Sequence, residues 1–121
     1  MRQRPYEKLI AWQEADKLCL WIYQMTTKFP AHELYGLRSQ MRRASYSVPT
    51  DIAEGNARRS QKDKAHFFER AISSLEELHY QCKLAFKLSY ITEKELEKTD
   101  DMIQRTGYLL MKLRSSILKI L

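Results

Sequence analysis

Apolar residues recur every three or four positions along almost the whole chain, and no stretch alternates as a half-buried strand does. The first segment predicts a helix over about 5–28. Pro5 suits a first helical turn, and Phe29-Pro30 stops the run. Ala11, Ala15, Leu18, Ile22 and Met25 fall on one face, with Trp12, Cys19 and Tyr23 on a shoulder and Trp21 flanking the stripe. At about 100° per residue these cover an arc of roughly 200°, wider than one buried stripe needs, although Glu14 interrupts it. That breadth predicts two packing neighbours for this helix. A second helix is expected over about 33–58, with Leu37, Met41, Ala44, Val48 and Ile52 inward. Pro49 lies inside that stripe, so the helix should kink near it; two helices meeting near Ser47 are the alternative.

The third helix is expected over about 60–90. Ser60 can cap its start, and Asp63 suits the positive end of the helix dipole. Phe68, Leu75 and Cys82 repeat by seven, with Ala71, Leu78 and Ala85 three further on, a seam whose small residues favour close packing. Thr92-Glu-Lys-Glu95 reads as a capping box opening a fourth helix over about 92–119. There Leu96, Ile103, Leu110 and Ile117 repeat by seven, and Thr99, Thr106, Leu113 and Ile120 take the partner position. Four amphipathic helices on short connections predict an all-α, antiparallel up-and-down four-helix bundle, one domain over 1–121.

Composition narrows the function classes. Only 3 Gly and 3 Pro occur in 121 residues, too few for a turn-rich sandwich or a Gly-rich nucleotide fold. With 21 Lys+Arg against 15 Asp+Glu, the net charge of +6 permits an acidic partner such as RNA or DNA without selecting one. The opening MRQRPYEKLIAW carries no long apolar core of a secretory signal, and no run of apolar residues suits a membrane span. Two cysteines make no disulfide framework, so a cytoplasmic setting is expected.

Catalytic chemistry finds little support. Gly36, Gly55 and Gly107 stand apart, so no phosphate loop forms. Cys19 and Cys82 lie at apolar stripes with no His in a suggestive local pattern. A carboxylate-bridged metal site would need two Glu-x-x-His motifs, and only Glu76-x-x-His79 occurs; His66-x-x-Glu69 has the reverse order. No metal or cofactor is expected. Basic residues carry more. Lys98, Arg105, Lys112 and Lys119 repeat by seven on the fourth helix, Tyr35, Arg38, Arg42 and Tyr46 share one flank of the second, and Arg58, Arg59, Lys62 and Lys64 cluster at the next turn. Guanidinium groups fork onto phosphates and tyrosines stack on unpaired bases. The candidate nucleic-acid contacts are therefore Tyr35, Arg38, Arg42, Arg58, Arg59, Lys98, Arg105 and Lys112. The competing reading is a solvated charged face opposite a hydrophobic seam.

The run Phe29-Pro30, Glu33-x-Tyr35-Gly36-Leu37-x-Ser39-Gln40-x-Arg42-Arg43-Ala44, Ser47-Val48-Pro49 and Ile52-Ala53-Glu54-Gly55 with Arg58 resembles the bacterial 23S rRNA intervening-sequence, or four-helix-bundle, protein family. That family includes the accessory variability determinant of diversity-generating retroelements. Tyr6-Glu7-Lys8-Leu9 with Trp12, and the later Glu77-Leu78 and Ser89-Tyr90-Ile91, fit the same pattern. The resemblance implies a four-helix bundle assembled into a homopentameric ring with a basic surface, without enzymatic activity. It also implies a gene within a ribosomal RNA insertion or beside a retroelement, where the partners are nucleic acid and a reverse transcriptase. A protein-interaction scaffold without specific nucleic-acid binding is the alternative it leaves. Ser73-Ser74 replaces a common Gly-Ser pair, and Ser89 stands where a turn glycine is common. Within the motif, Glu54 is expected to form a partly buried ion pair with Arg43, Gly36 to let helices approach, and Gly55 to mark a helix end. The broad apolar arc of the first helix would then meet an adjacent subunit.

Overall fold

The computed structural model describes residues 1–119. Ile120, expected at the partner position of the last helix, lies outside the described residues. Four helices, α1 (Ile10–Thr26), α2 (Leu37–Ala57), α3 (Gln61–Lys87) and α4 (Glu93–Leu118), account for most of the fold, and no strand occurs among the described residues. Each helix packs on its two sequence neighbours, with α1 closing against α4, so α1 and α3 occupy opposite corners of an up-and-down bundle.

The apolar stripes point where their spacing says they must. Ala11, Ala15, Leu18 and Ile22 of α1 meet Met41, Ala44, Val48 and Ile52 of α2, Phe68, Leu75, Leu78 and Cys82 of α3, and Ile103 and Leu110 of α4 in one core. Leu37, Leu96, Leu113 and Ile117 pack against its edge. Thr99 and Thr106 sit fully buried at seam positions that would otherwise hold aliphatics. Their hydroxyls donate to the Glu95 and Met102 carbonyls at 2.6 and 2.8 Å, so neither is left unpaired. The Thr99 oxygen also accepts the Trp21 indole N–H at 2.8 Å, tying α1 to α4.

Three helix ends differ from the expected bounds. Pro5 opens a short 3-10 turn (Pro5–Lys8); Leu9 is extended, and α1 starts only at Ile10. Packing of the Tyr6 ring on Trp12, at 5.1 Å between centroids, folds that turn back onto the helix. A second 3-10 turn (Ala31–Glu33) precedes Gly36, whose backbone breaks the run, so α2 starts at Leu37. The Glu33 carboxylate accepts the Leu37 amide at 2.9 Å, an anion at a helix N-terminus. At its far end α3 stops at Lys87 because Ser89 takes φ 64°, letting the Ser89 and Tyr90 amides donate back to the Phe86 and Ala85 carbonyls. Both anticipated caps form, Ser60 accepting the Asp63 amide and Thr92 exchanging bonds with Glu95.

Pro49 is buried within α2, which passes through it as one helix rather than two meeting near Ser47. The ring removes the amide that would bond to the Ser45 carbonyl. Around this break the Ser45, Ser47 and Thr50 hydroxyls donate to the Arg42, Arg43 and Tyr46 carbonyls at 2.7–2.8 Å. Close approach belongs to Gly55, not Gly36: a Cβ on Gly55 would lie 2.8 Å from the Phe68 ring and 2.9 Å from Phe67 Cβ.

Candidate nucleic-acid interface

The eight sequence candidates do not gather at one place. Tyr35 stands in the α1–α2 connection, 90% exposed. Arg38 is half-buried nearby, and its Nε has no hydrogen-bond partner among the described residues. Arg42 is turned inward: Nε donates to Thr26 Oγ1 at 2.9 Å, Nη2 donates to the Tyr23 carbonyl at 3.1 Å, and the guanidinium lies 4.6 Å over the Tyr23 ring. It therefore closes the C-terminal end of α1 and clamps it to α2.

The α4 stripe is likewise engaged within the molecule. Lys98 sits 3.8 Å over Trp21, Arg105 pairs with Glu14 at 3.3 Å, and Lys112 lies 5.3 Å from the Tyr108 ring centre. Arg58 stacks 4.6 Å over Phe67, whereas Arg59 is exposed and forms no such contact among the described residues. The expected Glu54–Arg43 pair is absent among the described residues, and Glu54 is exposed. The buried carboxylate is its neighbour Asp51, 6% exposed, with Arg70 at 3.8 Å. The α-helical turn explains the difference: position 51 shares the inward face with Val48 and Ile52, and position 54 does not. Burial pushes the Asp51 carboxyl up, against the opposing pull of Arg70.

The topology collects a different set of cations. An up-and-down bundle puts the chain's opening, the α2–α3 turn and the last turns of α4 at one end. Lys8 and Lys112 flank one crevice there, and Arg114 Nε bonds Glu69 of α3 at 2.9 Å. Residues 1–8, 56–64 and 112–119 bring Arg2, Arg4, Lys8, Arg58, Arg59, Lys62, Lys64, Lys112, Arg114 and Lys119 to this end, against Glu7, Asp63 and Glu69, the partner of Arg114. Ten cations face three acids, so the remaining residues carry eleven cations against twelve acids. All of the chain's positive excess thus lies at one end. Arg2, Lys8, Arg59 and Lys62 make no ion pair, side-chain hydrogen bond or ring contact among the described residues, leaving them open to phosphate. Arg2, Arg4, Lys8, Lys62, Lys64, Arg114 and Lys119 were outside the candidate set. Summing charge over each end of the expected bundle, rather than along each helix, is the signal that finds them.

The opposite end is held by polar contacts between loops. Tyr90 donates to Glu33 at 2.8 Å, and its ring packs on Phe29. The Leu37 amide, and then Tyr90, hold the Glu33 carboxyl below the usual range. Lys28 pairs with Glu95 of the α4 cap. His79 meets Asp100 at 3.3 Å, and no group of three or more His, Cys, Asp or Glu among the described residues is placed to hold a metal ion. Burial pushes the Cys82 thiol up to about 12 and raises Cys19, so both are protonated packing groups at neutral pH. No described helix is long and apolar enough to cross a membrane.

Fold and charge together define a small all-helical bundle with one cationic end. The chain belongs to the family described as 23S rRNA-intervening sequence protein, whose model matches residues 7–112. A crystal structure of a protein with unknown function from the S23 ribosomal protein family of Bacteroides thetaiotaomicron is similar, with TM-score 0.81 and 17% identity over 88% of this chain and 96% of that one. At that identity the likeness shows the fold. No curated protein matches.

Proposed function

We propose that the protein is a non-enzymatic, self-associating bundle, a pentameric ring favoured, that binds nucleic acid in the cytoplasm through its cationic end. Structured RNA or an RNA–DNA hybrid is the favoured ligand. The observation that carries this reading is the concentration of ten Lys and Arg against three acids at one end. Phosphate binding rewards density of charge, because each neutralised phosphate releases condensed counterions. Four of these side chains have no internal partner to give up, unlike Arg42, Lys98 and Arg105. Repetition of the end around an oligomer multiplies weak contacts into avidity.

A scaffold that holds a protein partner, such as a reverse transcriptase, is the second reading. Exposed Leu20, Tyr80, Tyr108 and Met111 favour it. Fluorescence anisotropy with a structured RNA across a salt series separates the two. Nucleic-acid binding predicts affinity that falls steeply with salt and exceeds that of an unrelated protein of equal charge. A flat response, or affinity no better than that control, supports the scaffold.

A further inference from the structure

The cleft between α2 and α3 is bordered by a carboxylate that the fold leaves without a hydrogen bond. Asp51 is 6% exposed, lines the cleft and accepts no hydrogen bond among the described residues. Neighbouring hydroxyls that could serve it are committed to the backbone. Ser47 donates to the Arg43 carbonyl at 2.8 Å and Thr50 to the Tyr46 carbonyl at 2.7 Å. Arg70, the cation it pairs with, stands at 3.8 Å, too far for a hydrogen bond. A buried carboxylate ordinarily gathers donors, because water no longer supplies them. This one instead faces a cleft of about 530 Å³, within the size range of small-molecule sites.

The groups around Asp51 select its guest. Side by side, the Asp51 carboxylate offers two acceptors and the Arg70 guanidinium a donor. Cytosine presents the same row to guanine, whose pairing edge carries two N–H donors beside the O6 acceptor. Tyr46 stands at the rim, 47% exposed, and the Phe67 ring backs Arg70 at 5.3 Å, so a flat ring has surfaces to stack on. Glu54 and Glu69 on the walls repel a phosphate, and Arg70 repels a simple cation. An uncharged ring with N–H donors fits where either ion does not. Arg58, part of the cationic end, stacks on the same Phe67 ring at 4.6 Å, so the cleft adjoins the groups that hold phosphate. We propose that this cleft takes an unpaired guanine base of bound RNA, its N1–H and N2–H donating to Asp51 and its O6 accepting from Arg70. The site rests on the nucleic-acid reading above and adds a base preference that phosphate contacts alone do not give.

Two hairpin RNAs test it by fluorescence anisotropy with the full chain. They are identical but for one unpaired nucleotide, guanine or adenine, in a loop of uridines. The guanine hairpin should bind at least about fivefold tighter, and inosine, which lacks the N2 amino group, should fall between the two. Asp51→Asn keeps the shape but exchanges an acceptor for a donor. It should erase or reverse the preference while leaving the salt slope and the helical circular dichroism at wild-type values. Arg70→Met removes the donor to O6 and should narrow the preference; the Arg70 side chain is 56% exposed, so this variant carries the test should Asp51→Asn unfold. Equal binding of both hairpins, or a preference that both variants keep, overturns the guanine site and leaves the cationic end standing. If neither hairpin binds, the nucleic-acid reading falls, and NMR titration with GMP and AMP decides the cleft. A response to GMP alone that Asp51→Asn abolishes keeps it as a site for a free guanine nucleotide, and no difference between the two overturns it.

Discussion

Replacing Gly55 with alanine sets two opposing effects against each other, and the structure decides the sign. Intrinsic propensity favours alanine in a helix by about 1 kcal/mol. The new Cβ would lie 2.8 Å from Phe68 Cε1, 2.9 Å from Phe67 Cβ and 3.1 Å from Phe68 Cδ1. Carbon atoms prefer separations of about 3.5 Å or more, so the shortest contact falls short by roughly 0.7 Å. Phe68 is almost wholly buried and cannot swing away, which leaves a shift of α2 against α3 as the only relief. Overpacking of this kind costs about 3 kcal/mol at the upper end of its range. The net loss is then about 2 kcal/mol, or roughly 8 °C in Tm for a domain of this size. Thermal melts followed by circular dichroism at matched protein concentration measure it. Gly107→Ala is the control, expected to raise Tm because its Cβ meets only Leu75. A Gly55→Ala protein that melts at or above wild type would refute the packing argument.

Other substitutions probe single contacts. Ser89→Gly should stabilise by about 1 kcal/mol in chemical denaturation, since Ser89 holds φ 64° at a cost glycine does not bear. Arg42→Ala should destabilise by about 1–2 kcal/mol, because it removes the donor to the buried Thr26 oxygen and one of the donors to the Tyr23 carbonyl, which Thr27 still serves, and should change RNA affinity little. Glu33 titrates below the usual carboxylate range, so its contribution is present above the ordinary value and is lost as pH falls through its lowered one. Melts from pH 7 downward should show Glu33→Gln less stable at neutral pH, with the difference from wild type shrinking in acid. A constant difference would count against the Leu37 and Tyr90 bonds as its cause.

Helix periodicity made most of the fold legible, because a seven-residue repeat such as Phe68, Leu75 and Cys82 admits only one buried face. Caps were equally readable, since Ser60 and Thr92 act through the next three residues alone. What spacing could not show was where a helix yields to a competing local contact. The Tyr6–Trp12 packing and the Glu33–Leu37 bond shorten α1 and α2 from outside any periodic pattern. The candidate site was less legible for a different reason. A stripe on one helix says nothing of what stands opposite, and Arg42, Lys98 and Arg105 face Tyr23, Trp21 and Glu14 from neighbouring helices. The cationic end, by contrast, is assembled from three segments far apart in the chain, each ordinary when taken alone.

The end-located charge is tested most directly by the salt dependence of RNA binding in two double variants. Arg59→Ala with Lys62→Ala removes two cations from the end, and Lys98→Ala with Arg105→Ala removes two from the flank. Removing two phosphate contacts should reduce the slope of log affinity against log salt by roughly 1.5–2. The account predicts that reduction for the end variant and a nearly unchanged slope for the flank variant; the reverse pattern, or equal slopes in both, would contradict it.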